Sequence, residues 1–341
     1  MDAVANTQDD APGITAASRD LHIRAWREGR QLADAPKIGE VRERAAHGDV
    51  IWIDVPDPAS GALAEIARQM RLSPLLVEDA VSHHERAKAV IEENYLFLNC
   101  YSVHYDAEKA EITTYEISAF ATKSILLTVR VSAWEYADEL ALRWQNSPSQ
   151  CRCGAVGLLH VLLDTVVDGH SEAVEVLDDQ TDTFADAIFD DRPLTHDEHI
   201  RIFRIRRALV RLRRVAMPMR EVLNTLTRRD SDLVPDPLQP YLHDVYDHVL
   251  RVSEQAESLR DTVTDLFETN LSLQDQRMNT IMKKLTSWAA IIAVPTAITG
   301  YFGQNVPYPG FGHELGFVLS LVLIVLIAVI LYLLFRRKDW L

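Results

Sequence analysis

Cysteine is scarce in this chain of 341 residues, and several sequence motifs are missing altogether. The three cysteines include a C-x-C pair, Cys151 and Cys153, but no second Cys/His pair stands near enough to complete a zinc site. No G-x-x-x-x-G-K loop occurs, so nothing in the sequence predicts nucleotide phosphate binding. We also find no nucleophile–base constellation and no cofactor fingerprint, and we predict neither an enzyme nor a bound cofactor.

Basic residues are also few, since the chain has 35 Lys and Arg residues and 50 Asp and Glu residues. The resulting formal charge of −15 leaves no overall basic surface and argues against a nucleic-acid partner. An acidic surface suits a protein that must not repel cations. It equally serves to keep a soluble part in solution, and both interpretations stay open.

Glycine is absent from position 170 to position 299, and this stretch is predicted to be helical. Residues 164–191 contain ten acidic and no basic residues, whereas residues 201–229 contain ten arginines and one acid, Glu221. The favoured interpretation is two oppositely charged helices packed antiparallel, in preference to nucleic-acid binding. Thr195 to Glu198 form a capping box that starts the second helix, which argues against His196 and His199 as metal ligands.

The sequence pattern of the first 150 residues predicts an α/β domain. Residues 1–18 are predicted to be disordered. Strands are predicted over 50–55, 95–105, 112–121 and 124–131, and short helices over 62–70 and 74–82, with Ser73 as N-cap. We therefore expect a mixed or antiparallel sheet within residues 19–150.

A heptad stripe runs through the segment that precedes the apolar C-terminal region. Neither glycine nor proline occurs from 241 to 294, which predicts one helix about 90 Å long over 241–302. Apolar residues recur in steps of three and four: Leu242, Val245, Val249, Val252, Ala256, Leu259, Val263 and Leu266. We expect this stripe to pack against copies of itself, the alternative being packing on the chain's own helices over 170–230.

Two apolar runs without a charged residue, 285–302 and 315–335, are each long enough to cross a bilayer. Lys283 and Lys284 precede the first run, and three basic residues, 336–338, follow the second. The positive-inside rule places both basic ends in the cytoplasm and the loop outside. The acidic, polar start of the chain predicts no secretory signal. The predicted boundaries are a helical hairpin over 151–238, a stalk over 239–284, a loop over 303–314 and a basic tail over 336–341.

The sequence resembles the CorA family of divalent-cation channels over residues 50–341. Between the two runs stands Gly303-Gln304-Asn305, where the family's usual signature is Gly-Met-Asn. Matching segments occur in the right order along the chain: 52–54, 73–79, 84–88, 163–164, 167–168, 241–248, 278–286, 295–296, 300–305 and 336–341. A three-residue signature is weak alone, but its place between two C-terminal spans makes it specific.

The resemblance implies an α+β membrane protein: an α/β cytoplasmic domain, a long helical stalk continuous with the first span, and a homopentamer. It implies uptake of Mg²⁺, and of Co²⁺ and Ni²⁺, across the cytoplasmic membrane, with Mg²⁺ as both substrate and regulatory ligand. Gly303, Gln304 and Asn305, with Thr296 and Asn279 below them, are the expected pore residues. Gly303 is expected to make a tight turn with φ > 0.

Further roles follow from the resemblance. Met282 and Leu285 match an apolar constriction that closes the pore by dewetting, with ordinary helix packing as the alternative. Asp79 and Asp244 match positions that bind intracellular Mg²⁺ between subunits. Asp164 and Asp168 are weaker candidates for a second site, and solvated surface charge is the alternative for all four carboxylates.

Two other functions stay open at this stage. Gln304 departs from the family signature, and a zinc-transporting branch of the superfamily also varies that position, so Zn²⁺ transport is one alternative. The other is a signalling or enzymatic protein that the hairpin merely anchors in the membrane, in which polar residues on the first span are dispensable.

Overall fold

The computed structural model describes residues 21–56, 58, 61–82, 86–130, 137–189, 194–228, 232–304 and 313–341. The predicted disordered segment 1–18 lies outside these residues. Asn305 and most of the predicted loop 303–314 do so as well. The chain divides into two compact units, Met1–Thr264 and Asp265–Leu341.

Among the described residues of the first unit, seven strands form one mixed sheet. Their bounds are β1 His22–Arg27, β2 Arg30–Gln31, β3 Val50–Val55, β4 Lys88–Ile91, β5 Leu96–Asp106, β6 Glu111–Ala121 and β7 Ile125–Arg130. The spatial order is β2-β1-β3-β7-β6-β5-β4, and every neighbouring pair is antiparallel except β3 and β7. The predicted mixed sheet is confirmed, although β1, β2 and β4 escaped prediction.

Alternating side chains of the strands belong to two separate hydrophobic cores, one on each face of the sheet. In β3, Ile51 and Ile53 join a core with three short helices, while Trp52 points into the core on the other face. Burial on both faces explains why β3 and β7 are mostly apolar in sequence, apart from the buried Asp54, Thr128 and Arg130. The short helices are α1 Val41–Ala46, α2 Ala62–Met70 and α3 Pro74–Val81.

The second core is covered by helices that follow the sheet in the sequence. These are α4 Ala137–Gln145, α5 Pro148–Cys151, α6 Gly154–Phe189, α7 His196–Thr227 and the start of α8 Gln239–Phe302. Gly154 begins α6 with φ of +65°, and a Cβ there would lie 2.2 Å from the carbonyl oxygen of Lys123. Only glycine therefore lets α6 begin directly against the β6–β7 turn.

The α6–α7 hairpin is held by apolar packing. Thr195 caps α7 as predicted, because its hydroxyl accepts from the Glu198 N–H while the Glu198 carboxylate accepts from the Thr195 N–H. The first half of α6 and the second half of α7 share one core, which fits antiparallel helices. Within the described residues, however, no ion pair joins α6 to α7. The two helices keep opposite charge without neutralising each other within one chain.

The expected partner of the α8 stripe was wrong. Seven of its eight residues, Leu242 through Val263, are buried within the single chain, and only Leu266 is half-buried. Leu242, Val245 and Val249 share the core of α6 and α7. A heptad spacing specifies a straight apolar seam and says nothing about whether its partner belongs to the same chain.

The second unit contains the rest of α8 and α9 Glu314–Arg337. Both helices are long and apolar enough to cross a membrane. Their large apolar side chains are exposed, among them Leu285, Ile292 and most of α9. Apolar exposure of this extent on two helices is what a lipid environment requires.

Candidate functional site

The predicted pore residues lie in sequence along the second half of α8. Asn279, Met282, Leu285 and Thr296 are all exposed in the single chain. The Thr296 hydroxyl donates to the carbonyl oxygen of Ile292 at 3.0 Å, so its oxygen keeps lone pairs with which it can accept. The α8 surface therefore offers polar oxygens and apolar side chains that its own chain does not cover.

Gly303 differs from the expectation for this position. Its φ is not positive, so the predicted left-handed turn is wrong. The need for glycine is instead steric, because a Cβ would lie 2.9 Å from the carbonyl oxygen of Thr299. The Gly303 N–H donates to that same oxygen at 2.8 Å and prolongs the helical bonding by one residue.

A cluster of metal-ligand side chains lies where α6 packs on α8 in the first unit. Asp164 and Asp168 of α6 and His248 of α8 place one ligand atom each within 4.8 Å of one another. The two aspartates are four residues apart and so share one face of α6. All three side chains are half-buried. This trio is called the acidic cluster below.

The electrostatics of the acidic cluster favour a bound cation. Burial raises the pKa of the Asp164 carboxyl, and the neighbouring Asp168 raises it further. Arg143 donates to Asp168 at 2.5 Å and neutralises only part of this charge. Two carboxylates and one imidazole facing a single arginine leave an uncompensated negative charge, which a divalent ion would remove.

The chemistry of the donors limits which ions fit. Carboxylate oxygens suit hard cations such as Mg²⁺, while the imidazole of His248 is a ligand that later transition metals prefer. One turn before Asp164, His160 packs edge-on against Tyr241 with ring centroids 5.8 Å apart. Burial lowers the pKa of His160, so the residue adds no positive charge near the cluster at neutral pH.

Asp79 and Asp244 stand outside the acidic cluster. The Asp79 carboxylate accepts from Lys88 Nζ at 2.9 Å, and Asp244 is exposed on α8, one turn before His248. One chain alone does not test a site that two subunits share, and their pairing stays a prediction. His248 escaped the sequence analysis, although its place four residues after Asp244 on one helix was a usable signal.

These features define a membrane protein whose first unit carries a candidate divalent-cation site. Comparison with known proteins shows which family of membrane proteins this is. Residues 47–337 match the profile of the family described as "CorA-like Mg2+ transporter protein". The chain therefore belongs to this family, as its sequence predicted. Members are transporters, so the chain is not an enzyme.

Individual relatives agree with this assignment. The Cobalt/magnesium transport protein CorA of Thermotoga maritima is 31% identical over 85% of this chain and 83% of its own length. The complete structure of the CorA magnesium transporter from Methanocaldococcus jannaschii has a TM-score of 0.71, 24% identity, and covers 86% of this chain and 92% of its own. The full-length CmaX protein has a TM-score of 0.72 at 20% identity, and covers 96% and 100%. The two structures confirm the predicted fold class.

Proposed function

We propose that the protein is a homopentameric channel that takes up Mg²⁺, and also Co²⁺ and Ni²⁺, across the cytoplasmic membrane. One observation carries this proposal. A single helix, α8, holds His248 of the acidic cluster and continues without a break to Phe302, directly before Gly303. Two relatives are named as cobalt/magnesium transport proteins, which supports the same ions.

The filter in this proposal is a ring of amide oxygens at the end of α8. Mg²⁺ loses its water slowly, so a filter works best by contacting the hydrated ion. Asn305, repeated around the symmetry axis, supplies carbonyl oxygens without the tight binding of a carboxylate ring, because conduction needs weak binding. Thr296 and Asn279 add polar rings below it. Met282 and Leu285 provide the apolar constriction.

The membrane potential supplies the driving force. With basic residues on the cytoplasmic side of both spans, the signature loop faces outward. A divalent ion that falls through about 100 mV gains about 4.6 kcal/mol, twice the value for one charge. That energy corresponds to an accumulation ratio of more than about a thousandfold, so a closed state is required when the cell is replete.

Intracellular Mg²⁺ provides that closed state by binding to carboxylates. At the acidic cluster, the ion would relieve repulsion between Asp164 and Asp168 and fasten α6 to α8. Asp79 and Asp244 of neighbouring subunits would share a second ion. Loss of these ions leaves like charges unscreened and loosens the assembly. The Asp79→Ala or Asp244→Ala chain should lose the protection from proteolysis that millimolar Mg²⁺ gives the first unit, and unchanged protection would remove that residue from the sensor.

Ion flux into proteoliposomes tests the channel. We expect Asn305→Ala to abolish potential-driven Mg²⁺ uptake while the oligomer persists in native mass spectrometry. The matched control is Asn224→Ala, because Asn224 is an exposed asparagine on α7. Normal uptake by Asn305→Ala, or a monomeric wild-type protein in lipid, would contradict the proposal.

Zn²⁺ transport is the second candidate. Gln304 replaces the usual methionine of the signature, and the acidic cluster includes an imidazole, a good ligand for Zn²⁺. Competition between the ions separates the two functions. Excess Zn²⁺ should leave uptake of Mg²⁺ largely unchanged if Mg²⁺ is the substrate, and Zn²⁺ flux that Mg²⁺ does not inhibit would favour the alternative.

A further inference from the structure

Helix α7 has an apolar and basic stripe on the side that its own chain leaves uncovered. We call this stripe the α7 seam, and its residues follow one another in steps of three and four. They are Ile200, Phe203, Arg207, Val210, Arg214 and Met217, and the stripe ends at the acidic Glu221. Phe203 is 67% exposed and Met217 is 47% exposed. Exposed large apolar residues at heptad spacing indicate a helix that packs on something else.

The α7 seam lies almost opposite the buried face of the same helix. Residues such as Leu209, Leu212 and Met219 bury that other face in the protomer core. Among the described residues, neither Arg207 nor Arg214 has an ion-pair partner. The seam therefore combines apolar surface with guanidinium groups that pair with no carboxylate in the part of the chain that the structure describes.

A groove lies beside the α7 seam. Its volume is about 1040 Å³, and Val210, Arg214 and Met217 of the seam line it. Arg86 and Arg260 also face the groove. A partner that fits this surface should present carboxylates along a helix, with one bulky side chain able to enter the groove.

The chain itself carries a helix face of that description. The exposed face of α6 repeats the same steps of three and four, and we call it the α6 seam. Its residues are Glu172, Glu175, Asp179, Asp182, Asp186 and Phe189. None of these carboxylates has an ion-pair partner within the described part of the chain. The neighbouring Asp178 has a raised pKa because of burial and then of Asp182 and Asp179, as expected of an uncompensated negative surface.

We propose that the α7 seam of one chain packs against the α6 seam of a second copy. Within one chain the seams do not meet, because on each helix the opposite face is the buried one. Leu177 and Phe184 are buried on that face of α6, and Ile205 and Leu212 on that face of α7. At 1.5 Å per residue, the α6 seam is about 26 Å long and the α7 seam about 32 Å. Their charges are complementary. Such complementarity selects the partner and fixes its register. An anionic membrane surface would also take the α7 seam, but it would leave the α6 seam unaccounted for.

Charge reversal in the full chain tests this contact. We expect the double variant Arg207→Glu, Arg214→Glu to raise the concentration of half-dissociation of the oligomer in neutral detergent by about tenfold or more, since like charges would then face each other. The matched control reverses Arg206 and Arg220, two exposed arginines of α7 outside the seam. Native mass spectrometry over a dilution series gives the readout.

Compensation decides whether the contact lies between the two seams. Adding Glu175→Arg and Asp182→Arg to the double variant should restore assembly to within about threefold of the wild type, a difference below 1 kcal/mol. Failure to restore it, or no effect of the first double variant, would overturn the proposal. An effect seen only in nanodiscs with anionic lipid would assign the α7 seam to headgroups and would also overturn it. Because assembly is measured without ion flux, failure here leaves the Asn305 test of transport independent.

Discussion

The acidic cluster yields the sharpest prediction, which concerns Asp164→Asn. This substitution keeps the size of the side chain and removes one negative charge beside Asp168. Asp164 is half-buried, and its raised pKa reflects burial first and then Asp168. We expect the variant to be more stable than the wild type without metal, because the repulsion is gone, and to respond little to Mg²⁺.

The magnitude follows from linkage between binding and folding. A site that binds only the folded chain stabilises it by RT ln(1 + [L]/Kd), which is about 1.4 kcal/mol at a tenfold excess of Mg²⁺ over Kd. For a unit of this size, that free energy corresponds to an increase of about 3–6 °C in Tm. The wild type should show this increase, and Asp164→Asn should show less than about a quarter of it.

Thermal unfolding of the detergent-solubilised protein across a Mg²⁺ titration provides the assay. The control is Asp247→Asn, which removes an exposed carboxylate next to His248 on α8. It should keep the full response to Mg²⁺. An Asp164→Asn chain that is stabilised by Mg²⁺ as strongly as the wild type would refute the assignment of the acidic cluster.

The same site makes a prediction about pH. Because its folded pKa is raised, ionised Asp164 destabilises the metal-free fold, and this cost is relieved as the pH falls through that pKa. Protons and Mg²⁺ compete for the same carboxylate. The Mg²⁺-dependent increase in Tm should therefore shrink on acidification in the wild type and stay near zero in Asp164→Asn. A response that does not change with pH would count against metal binding at Asp164.

Three further predictions concern the fold and the end of α8. Burial lowers the pKa of His170 from 6.5 to about 4, so stability present above pH 6.5 should be lost toward pH 4, on the order of 3 kcal/mol, and His170→Gln should flatten this slope in urea titrations. Thr128→Val leaves the buried indole N–H of Trp52 without its acceptor and should lower the free energy of unfolding by about 1–3 kcal/mol. The same change at the exposed Thr113 should lower it little. Gly303→Ala should impair ion flux, while Gly300→Ala, where a Cβ meets nothing within 4 Å, should be tolerated.

The opposite outcomes are equally measurable. A flat stability profile for the wild type between pH 6.5 and 4 would show that His170 is not the titrating group. Equal unfolding free energies for the two threonine variants would mean that the network of Trp52, Thr128 and Asp54 is not satisfied as described. Equal flux through the two alanine variants would remove the steric argument for Gly303.

Much of the fold was predictable because, in the central strands and helices, the apolar residues of the sequence pattern are also the buried ones. β3 and β7 carry buried apolar residues on both faces, and the helix starts at Pro74 and Thr195 carry local signals. β1 was missed because half of its six residues are polar and only Ala25 and Trp26 are fully buried. Sequence patterns report the preference of a segment, while the pairing of β1 with β2 and β3 is decided by its neighbours.

The candidate site was predictable only in part. Asp164 and Asp168 were recognised, but His248 was not, because a ligand supplied by a second helix depends on how the two helices pack. The same limitation explains the wrong partner for the stripe beginning at Leu242. Gly303 was expected to adopt a left-handed turn, and the structure gives a different reason for glycine, the close approach of the Thr299 carbonyl oxygen.

The burial of the α8 stripe inside the protomer has a consequence for how subunits can move. A chain that has already buried this stripe internally does not need a neighbouring subunit to cover it. Subunits can therefore separate and re-form their contacts without exposing the stripe to water. Repeated rearrangement of the assembly is then compatible with an intact fold in every subunit.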